Sequence, residues 1–315
     1  MTEDGLFEAL IGHAVLAPSS HNTQPWIFAP RPDGIALYAD RTRALPVNDP
    51  DDRELLISCG CALFNLRVAA ADRGFQASVN VLPEADDEDL LALVELTPGE
   101  DAALRTWAGA IGLRRTCHGS FKADRPDDRQ IASLAAAAEA EGAWAEFLDD
   151  PKRRRAAATL VAEGDAAQWA NPHWRRELAQ WMHPRRQGDG LALPGVLAPV
   201  ARTVVRAIDM GDRIATKDAA LAETAPVLAV IGTGADGPRD RIAAGQAMQR
   251  VLLIAAASGL QARYLNQPVQ VAYLRPRLSD LCDRGGVPQS LMCLGYPEAP
   301  SDPTPRRNLD AVIER

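Results

Sequence analysis

Ten residues near the start of the chain, Ala17-Pro18-Ser19-Ser20-His21-Asn22-Thr23-Gln24-Pro25-Trp26, restrict its folding more than any other stretch. Pro18 and Pro25 each fix φ and remove a backbone donor, so the residues between them are held in a turn. The turn presents Ser19, Ser20, Asn22 and Gln24 as donors and acceptors, with Trp26 as the expected buried anchor. Such a surface suits a flat polar heterocycle with an imide edge and a sugar chain. On residue types alone it reads equally well as a helix exit capped by Ser and Asn.

Pro18 to Trp26 resembles the P-S-S-x-N-x-Q-P-W signature of the nitroreductase-like flavoprotein superfamily. The run Asn48-Asp49-Pro50-Asp51-Asp52-Arg53-Glu54-Leu55-Leu56-Ile57-Ser58-Cys59-Gly60 is similar to the Acg-type branch, the NAD(P)H nitroreductases. With the motifs below, the resemblance spans nearly the whole chain. It implies an α+β nitroreductase-like fold, present as two fused copies that form an intramolecular pseudo-dimer. It also implies FMN as cofactor and NAD(P)H as donor, with a nitroaromatic or quinone as the small-molecule acceptor in a ping-pong hydride mechanism. In relatives with one copy per chain, the flavin takes residues from both subunits. Here both sides would come from one polypeptide, as a monomeric pseudo-dimer or a weak homodimer. The competing expectation is a flavin-holding protein that sequesters FMN with little NAD(P)H turnover.

At 315 residues the chain has room for one large domain or two ordinary ones. Hydrophobic residues at 47% and charged residues at 24% are those of a soluble globular protein. The net charge of -8 argues against a nucleic-acid partner. Met1 to Gly5 is acidic without an apolar signal run, and no stretch approaches about 18 consecutive apolar residues. Neither secretion nor a membrane span is expected, and the reading is cytoplasmic. Five cysteines, Cys59, Cys61, Cys117, Cys282 and Cys293, are expected to be reduced thiols. Cys59 and Cys61 are two apart on a helix and do not face each other, and no metal site is expected.

Residues 4–17 read as an amphipathic helix, and 35–38, 77–82 and 91–96 as strands. Between them a long helix is expected from an Asp49 N-cap and Pro50 to a stop at Gly74. Ala70 to Ala77 aligns with Ala255 to Ala262, so that Gly74 and Gly259 stand 185 positions apart. The same offset carries Pro83 onto Pro268, and the second helix begins at Pro238. This fits an ancestral duplication, with a first half over 1–110 and a second over 111–315.

Leu113-Arg114-Arg115-Thr116-Cys117-His118-Gly119-Ser120-Phe121 resembles the Arg-rich motif with which such enzymes hold the flavin phosphate. Guanidinium suits phosphate because its planar fork pairs two oxygens at once. Leu294-Gly295-Tyr296-Pro297 followed by Pro305-Arg306-Arg307 resembles the family's closing segment, implicating Arg306 or Arg307 at the same phosphate. Arg pairs near a terminus also read as solvent-facing, and Asn308 stands where relatives often carry proline. Gly259 to Pro268 corresponds by position to the flavin-ring segment, in which the backbone N–H groups of Asn266 and Gln267 would face the redox edge. A strand end with an Asn-Gln-Pro turn is the plainer alternative. With Pro18, Ser19, Ser20, Asn22 and Gln24, these residues make up the expected FMN site. No side-chain acid or base is identified, in keeping with chemistry carried by the cofactor.

Residues 164–210 have no counterpart in the first half and hold Trp169, Trp174 and Trp181, three of the six tryptophans. Arg175 to Met182 reads as a short helix and Gln187-Gly188-Asp189-Gly190 as a loop. The resemblance implies a lid-like insertion over the flavin; the alternative is a helical insertion packed elsewhere. Finally, Val227–Ile231 and Gly232-Thr233-Gly234-Ala235-Asp236-Gly237 spell a strand and G-x-G-x-x-G, the mark of a Rossmann-type dehydrogenase. No acid lies between Asp240 and Asp280 to reach a ribose, and Asp236 would crowd a pyrophosphate. A strand-to-helix loop is the expectation.

Overall fold

A computed structural model describes residues 3–182, 188–191 and 198–314. In chain order it runs α1 (Glu3–Ala14), β1 (Trp26–Arg31), β2 (Gly34–Ala39), α2 (Arg53–Asp72), β3 (Phe75–Val81) and β4 (Leu90–Pro98). Two single-turn helices follow, α3 (Ala102–Arg105) and α4 (Ala108–Ile111). Then come α5 (Asp128–Glu139), β5 (Trp144–Phe147), α6 (Pro151–Ala170), α7 (Pro172–Gln180), α8 (Ala198–Ala207) and α9 (Gly211–Thr224). The chain continues through β6 (Val227–Thr233), α10 (Pro238–Ala257), β7 (Gln261–Tyr264), α11 (Gln267–Gln270), α12 (Arg275–Ser279) and β8 (Val287–Gly295).

Two four-stranded sheets result, ordered β1-β2-β4-β3 and β5-β6-β8-β7, with every pairing antiparallel. The edge strand β3 alternates half-buried Phe75, Ala77, Val79 and Val81 with exposed neighbours, as one covered face demands. The inner strand β6 is buried at every residue, so it reads as an unbroken apolar run. The end of the chain returns to the first sheet. There Phe28 donates to the Val312 carbonyl at 2.8 Å and accepts from Glu314 N–H at 2.9 Å. That pairing covers the outer edge of β1.

The antiparallel sheet overturns the Rossmann-type dehydrogenase alternative, which needs parallel strands. Gly232 packs beneath the Trp144 ring, where a Cβ would stand 2.1 Å from a ring carbon. Asp236 pairs with Arg53, Arg241 and Arg275. The glycine-rich loop thus serves packing and ion pairing. The expected start of α2 also needs correction. Asp52, in left-handed conformation at φ 53°, is the N-cap, and Asp49–Asp52 form a preceding turn. Asp49 still helps the helix, because its Oδ2 accepts from Leu55 N–H at 3.0 Å. Gly74 takes φ 80° just past the helix end, and Gly259 takes φ 81° past α10.

α2 is apolar and long enough to cross a membrane by length alone, yet 94% of its most apolar window is buried inside the protein. It packs against α10 through Gly60 and Gly245, which stand 185 positions apart. A Cβ on Gly60 would lie 2.3 Å from the Ile242 carbonyl oxygen, and one on Gly245 would lie 2.1 Å from that of Ile57. Ile57 and Ile242 are 185 apart as well, so each helix offers the other the same surface.

Gly60→Ala should therefore lose about 1–3 kcal/mol in urea unfolding, because overpacking outweighs the helix propensity gained. Gly12→Ala in α1, with open space around it, should lose nothing and gain up to about 1 kcal/mol. Equal behaviour of the two variants would contradict the close helix contact.

Candidate active site

The signature turn sits at one wall of a cavity of about 940 Å³. Ser20–Asn22 form a single 3₁₀ turn, and His21, Asn22 and Gln24 all take left-handed φ, at 47°, 53° and 54°. Non-glycine residues adopt that region only when their surroundings hold them there. Here Ser19 Oγ accepts from Gln24 N–H at 2.9 Å. The Asn22 amide donates to the Gly190 and Pro305 carbonyls at 3.3 and 3.2 Å. Gln24, wholly buried, donates to the Gly188 carbonyl at 2.8 Å and accepts from Arg307 N–H at 2.9 Å. Its side chain therefore holds backbone and stands behind the cavity wall, which Pro18, Ser19, Ser20 and Asn22 do line. His21 also lines it. Burial pushes its imidazole down to about 4, so the ring is neutral.

Two guanidinium groups line the cavity, Arg114 and Arg306, and the Arg115 charge also acts on Arg306. Arg306 donates to the carbonyls of Val15, Leu16 and Ala17, just past the end of α1. Arg114 shares the Leu16 carbonyl at 3.1 Å, and its Nε is buried without a partner. Among the described residues, no carboxylate pairs with Arg114, Arg115 or Arg306. Burial, then the Arg114 and Arg115 charges, push Arg306 down to about 9. The Arg115 guanidinium donates to the Arg114 carbonyl at 2.7 Å, and its backbone N–H donates to Gln261 Oε1 at 2.6 Å. Arg307 turns the other way, to Asp40 at 3.3 Å and the Gln24 carbonyl at 2.9 Å. Thr116 bridges to Ala262 and lines the cavity.

Asn266 and Gln267 form another wall. They open α11, so their N–H groups have no intrahelical carbonyl to reach. The Asn266 side chain is fixed, accepting from Ser290 Oγ and Leu291 N–H at 3.0 Å each and donating to Glu54 at 3.0 Å. Glu54 also accepts from Gln270 at 2.8 Å, Ser20 at 2.5 Å and Asn48 at 3.2 Å. Its charge, after burial, raises neighbouring Asp49 to about 7.

The stretch expected as a lid meets the same cavity. Trp174 Nε1 donates to Asn48 Oδ1 at 2.8 Å, while Glu177 accepts from Val47 and Asn48 N–H. Asp189 pairs with Arg43, whose guanidinium lies 5.3 Å from the Trp181 ring centre. Trp169 packs edge-on against Trp174 at 5.5 Å. Gln187, with the rest of 183–187 and with 192–197, lies outside the described residues. Sequence reasoning did not single out Glu54, Asp165 or Asp218, which all line the cavity. Glu54 falls within the Asn48–Gly60 run, which was a usable signal; Asp165 and Asp218 had none.

No protein-family model matches the chain. The protein named putative NAD(P)H nitroreductase Rv3131, of Mycobacterium tuberculosis, is 32% identical over 310 residues, covering 96% of this chain and 89% of its own length. The one named putative NAD(P)H nitroreductase acg, from the same organism, is 27% identical over 333 residues, covering 99% and 96%. Among solved structures, the NADPH:FMN oxidoreductase from Vibrio harveyi complexed with NAD+ shares 16% identity over 67% of this chain and 77% of its own, with a TM-score of 0.41. Given the identity to Rv3131 along nearly the full length of both proteins, the chain belongs to the nitroreductase family, in the branch that includes acg.

Proposed function

We propose that the chain binds one FMN in this cavity and carries electrons from NAD(P)H to a nitroaromatic or quinone in two successive half-reactions. The observation behind this reading is the group of Arg114, Arg115 and Arg306, buried or half-buried together with no carboxylate among the described residues to balance them. Burial first, and the like charges of Arg114 and Arg115 second, lower the proton affinity of Arg306. A phosphate would relieve that repulsion and give the orphaned Arg114 Nε a partner. These residues fit the phosphate end of FMN, and family membership supports the same cofactor.

When bound, FMN would supply hydride acceptance and donation, which no side chain in the cavity can perform. Arg114 and Arg306 would hold the phosphate, with Thr116 beside them. The Pro18–Asn22 turn would orient the ring, its Ser20 already fixed by Glu54. Asn266, locked by three partners, would keep the N–H groups opening α11 aimed at the ring edge, so that they need not reorganise as charge develops. Trp169, Trp174 and Leu178 would screen the reacting face from water.

We further read the chain as two fused nitroreductase-like copies, residues 1–110 and 111–315, with 164–210 inserted in the second. The equal strand orders and the reciprocal Gly60–Gly245 contact support this. The offset of 185 also carries Glu54 and Asn266, bonded to each other, onto Arg239 and Val81, which are likewise bonded. The acid has become a guanidinium and the amide a backbone carbonyl, so one site would be kept and its counterpart closed. A monomer would suffice, and five free cysteines suit a cytoplasmic setting. The bonds from Gly188 and Gly190 across the turn favour a second reading, in which the insertion shuts out nicotinamide and the protein merely holds FMN.

Arg114→Ala and Arg306→Ala should each weaken FMN binding by roughly 10- to 100-fold in fluorescence titration, the size expected for losing a charge-assisted hydrogen bond. Riboflavin, which lacks the phosphate, should bind the variants and the parent alike. Equal losses for both ligands would place the phosphate elsewhere. Anaerobic mixing of the FMN-loaded protein with NADPH should bleach the flavin within seconds; an unchanged spectrum over minutes would remove the reductase reading and leave the holding one.

A further inference from the structure

α6 is seated directly on the Asn266–Gln267 turn. A Cβ on Gly164 would stand 2.6 Å from Gln267 Cβ and 3.0 Å from its carbonyl carbon. The next residue, Asp165, is only 2% exposed and lines the cavity. Its Oδ1 accepts from Gln267 Nε2 at 3.1 Å, and the same Nε2 donates to Asp218 Oδ2 at 3.2 Å. One amide thus bridges two carboxyl groups. Asp165 Oδ2 has no hydrogen-bond partner among the described residues, and neither has Gln267 Oε1. An unpartnered buried carboxyl oxygen on a cavity wall is costly unless something in the cavity uses it.

The two acids differ in their surroundings. Asp218 faces Arg263 at 3.7 Å, and the Lys217 charge also acts on it. Among the described residues no cation acts on Asp165: Asp218 raises its proton affinity, and only the Gln267 hydrogen bond opposes this. Burial first, and the Asp218 charge second, hold its carboxyl up at about 7. At neutral pH it can keep a proton and release it, the condition for a general acid. In the reaction proposed above, reducing a quinone to a hydroquinone consumes two electrons and two protons. A hydride brings both electrons and one of those protons. The second proton must reach an acceptor oxygen from another source.

We propose that Asp165 supplies that proton, with Gln267 and Asp218 as its positioning residues. The O–H bond of the Asp165 carboxyl breaks as the acceptor O–H bond forms, and the carboxylate left behind is reprotonated from water. The inference rests on the reductase reading and extends it to a named acid on the insertion. It favours acceptors whose reduction ends in a new O–H bond, quinones and nitro groups, over acceptors that take electrons alone.

The test uses FMN-loaded protein, reduced anaerobically, then mixed with menadione or with ferricyanide, which takes electrons without protons. Asp165→Asn should slow reoxidation by menadione at least tenfold at pH 7 and should leave the ferricyanide rate within about twofold. The menadione rate of the parent should fall as pH rises through about 7, and that of the variant should stay level. Parallel loss with both oxidants would assign Asp165 a structural role, and unchanged rates with both would also overturn the proposal. A parent protein that neither acceptor reoxidises would instead sink the reductase reading itself.

Thermal unfolding gives a readout independent of turnover. The folded Asp165 binds its proton more tightly than an unfolded aspartate does, so ionising it disfavours the fold. The parent should lose stability relative to Asp165→Asn as pH rises from about 4 to 7, the gap levelling off above. A gap that does not change with pH would contradict the assignment.

Discussion

One buried carboxyl group ties the two ends of this sequence together. Glu54, in the first turn of α2, accepts hydrogen bonds from Ser20 and Asn48 on one oxygen and from Asn266 and Gln270 on the other. Taking a carboxyl group out of water is unfavourable by several kcal/mol unless its acceptor positions are filled. Filling them here requires two donors from before residue 50 and two from beyond residue 265. Asn48 passes the constraint on, since its side-chain Oδ1 accepts from Trp174 and its backbone N–H donates to Glu177. The turn, the α11 wall and the insertion are therefore positioned by a single desolvated group, and the cavity is the space they enclose.

The cavity's other parts are unfavourable by themselves. Three left-handed non-glycine residues cost on the order of 1–3 kcal/mol each. The cluster of Arg114, Arg115 and Arg306 adds repulsion between cations, and Asp165 with Asp218 adds it between acids. Packing elsewhere carries these strains, chiefly the α2–α10 contact and the buried strands β6 and β8. The site is prepared in advance, which lowers the reorganisation needed on binding.

Much of this was legible in the residues, where the signal was local. The proline-bounded turn, the Gly74 and Gly259 helix stops and the Pro238 start all obey short-range rules, and the 185-residue offset exposed the α2–α10 pair. What escaped depended on distant partners. Gln24 looked like a ligand-facing amide, yet its side chain holds the Gly188 carbonyl and the Arg307 N–H behind the cavity wall; Asn22 lines the cavity while also holding the Gly190 and Pro305 carbonyls and the Arg306 guanidinium. Arg306 and Arg307 were equivalent by sequence, and Asp40 on the neighbouring loop draws Arg307 away. β1 and β5 were not read as strands, because Pro30 interrupts one and the other spans only Trp144–Phe147. Asp165 stood out in no motif, since its meaning comes from burial and from Asp218, more than fifty residues on.

The account stands on the idea that one chain encloses one cofactor from both sides. Native mass spectrometry of the FMN-loaded protein, diluted until any dimer dissociates, tests this most directly. The account predicts the 33.8 kDa monomer carrying a single FMN. Monomers without flavin, with FMN retained only by a dimer, would contradict it.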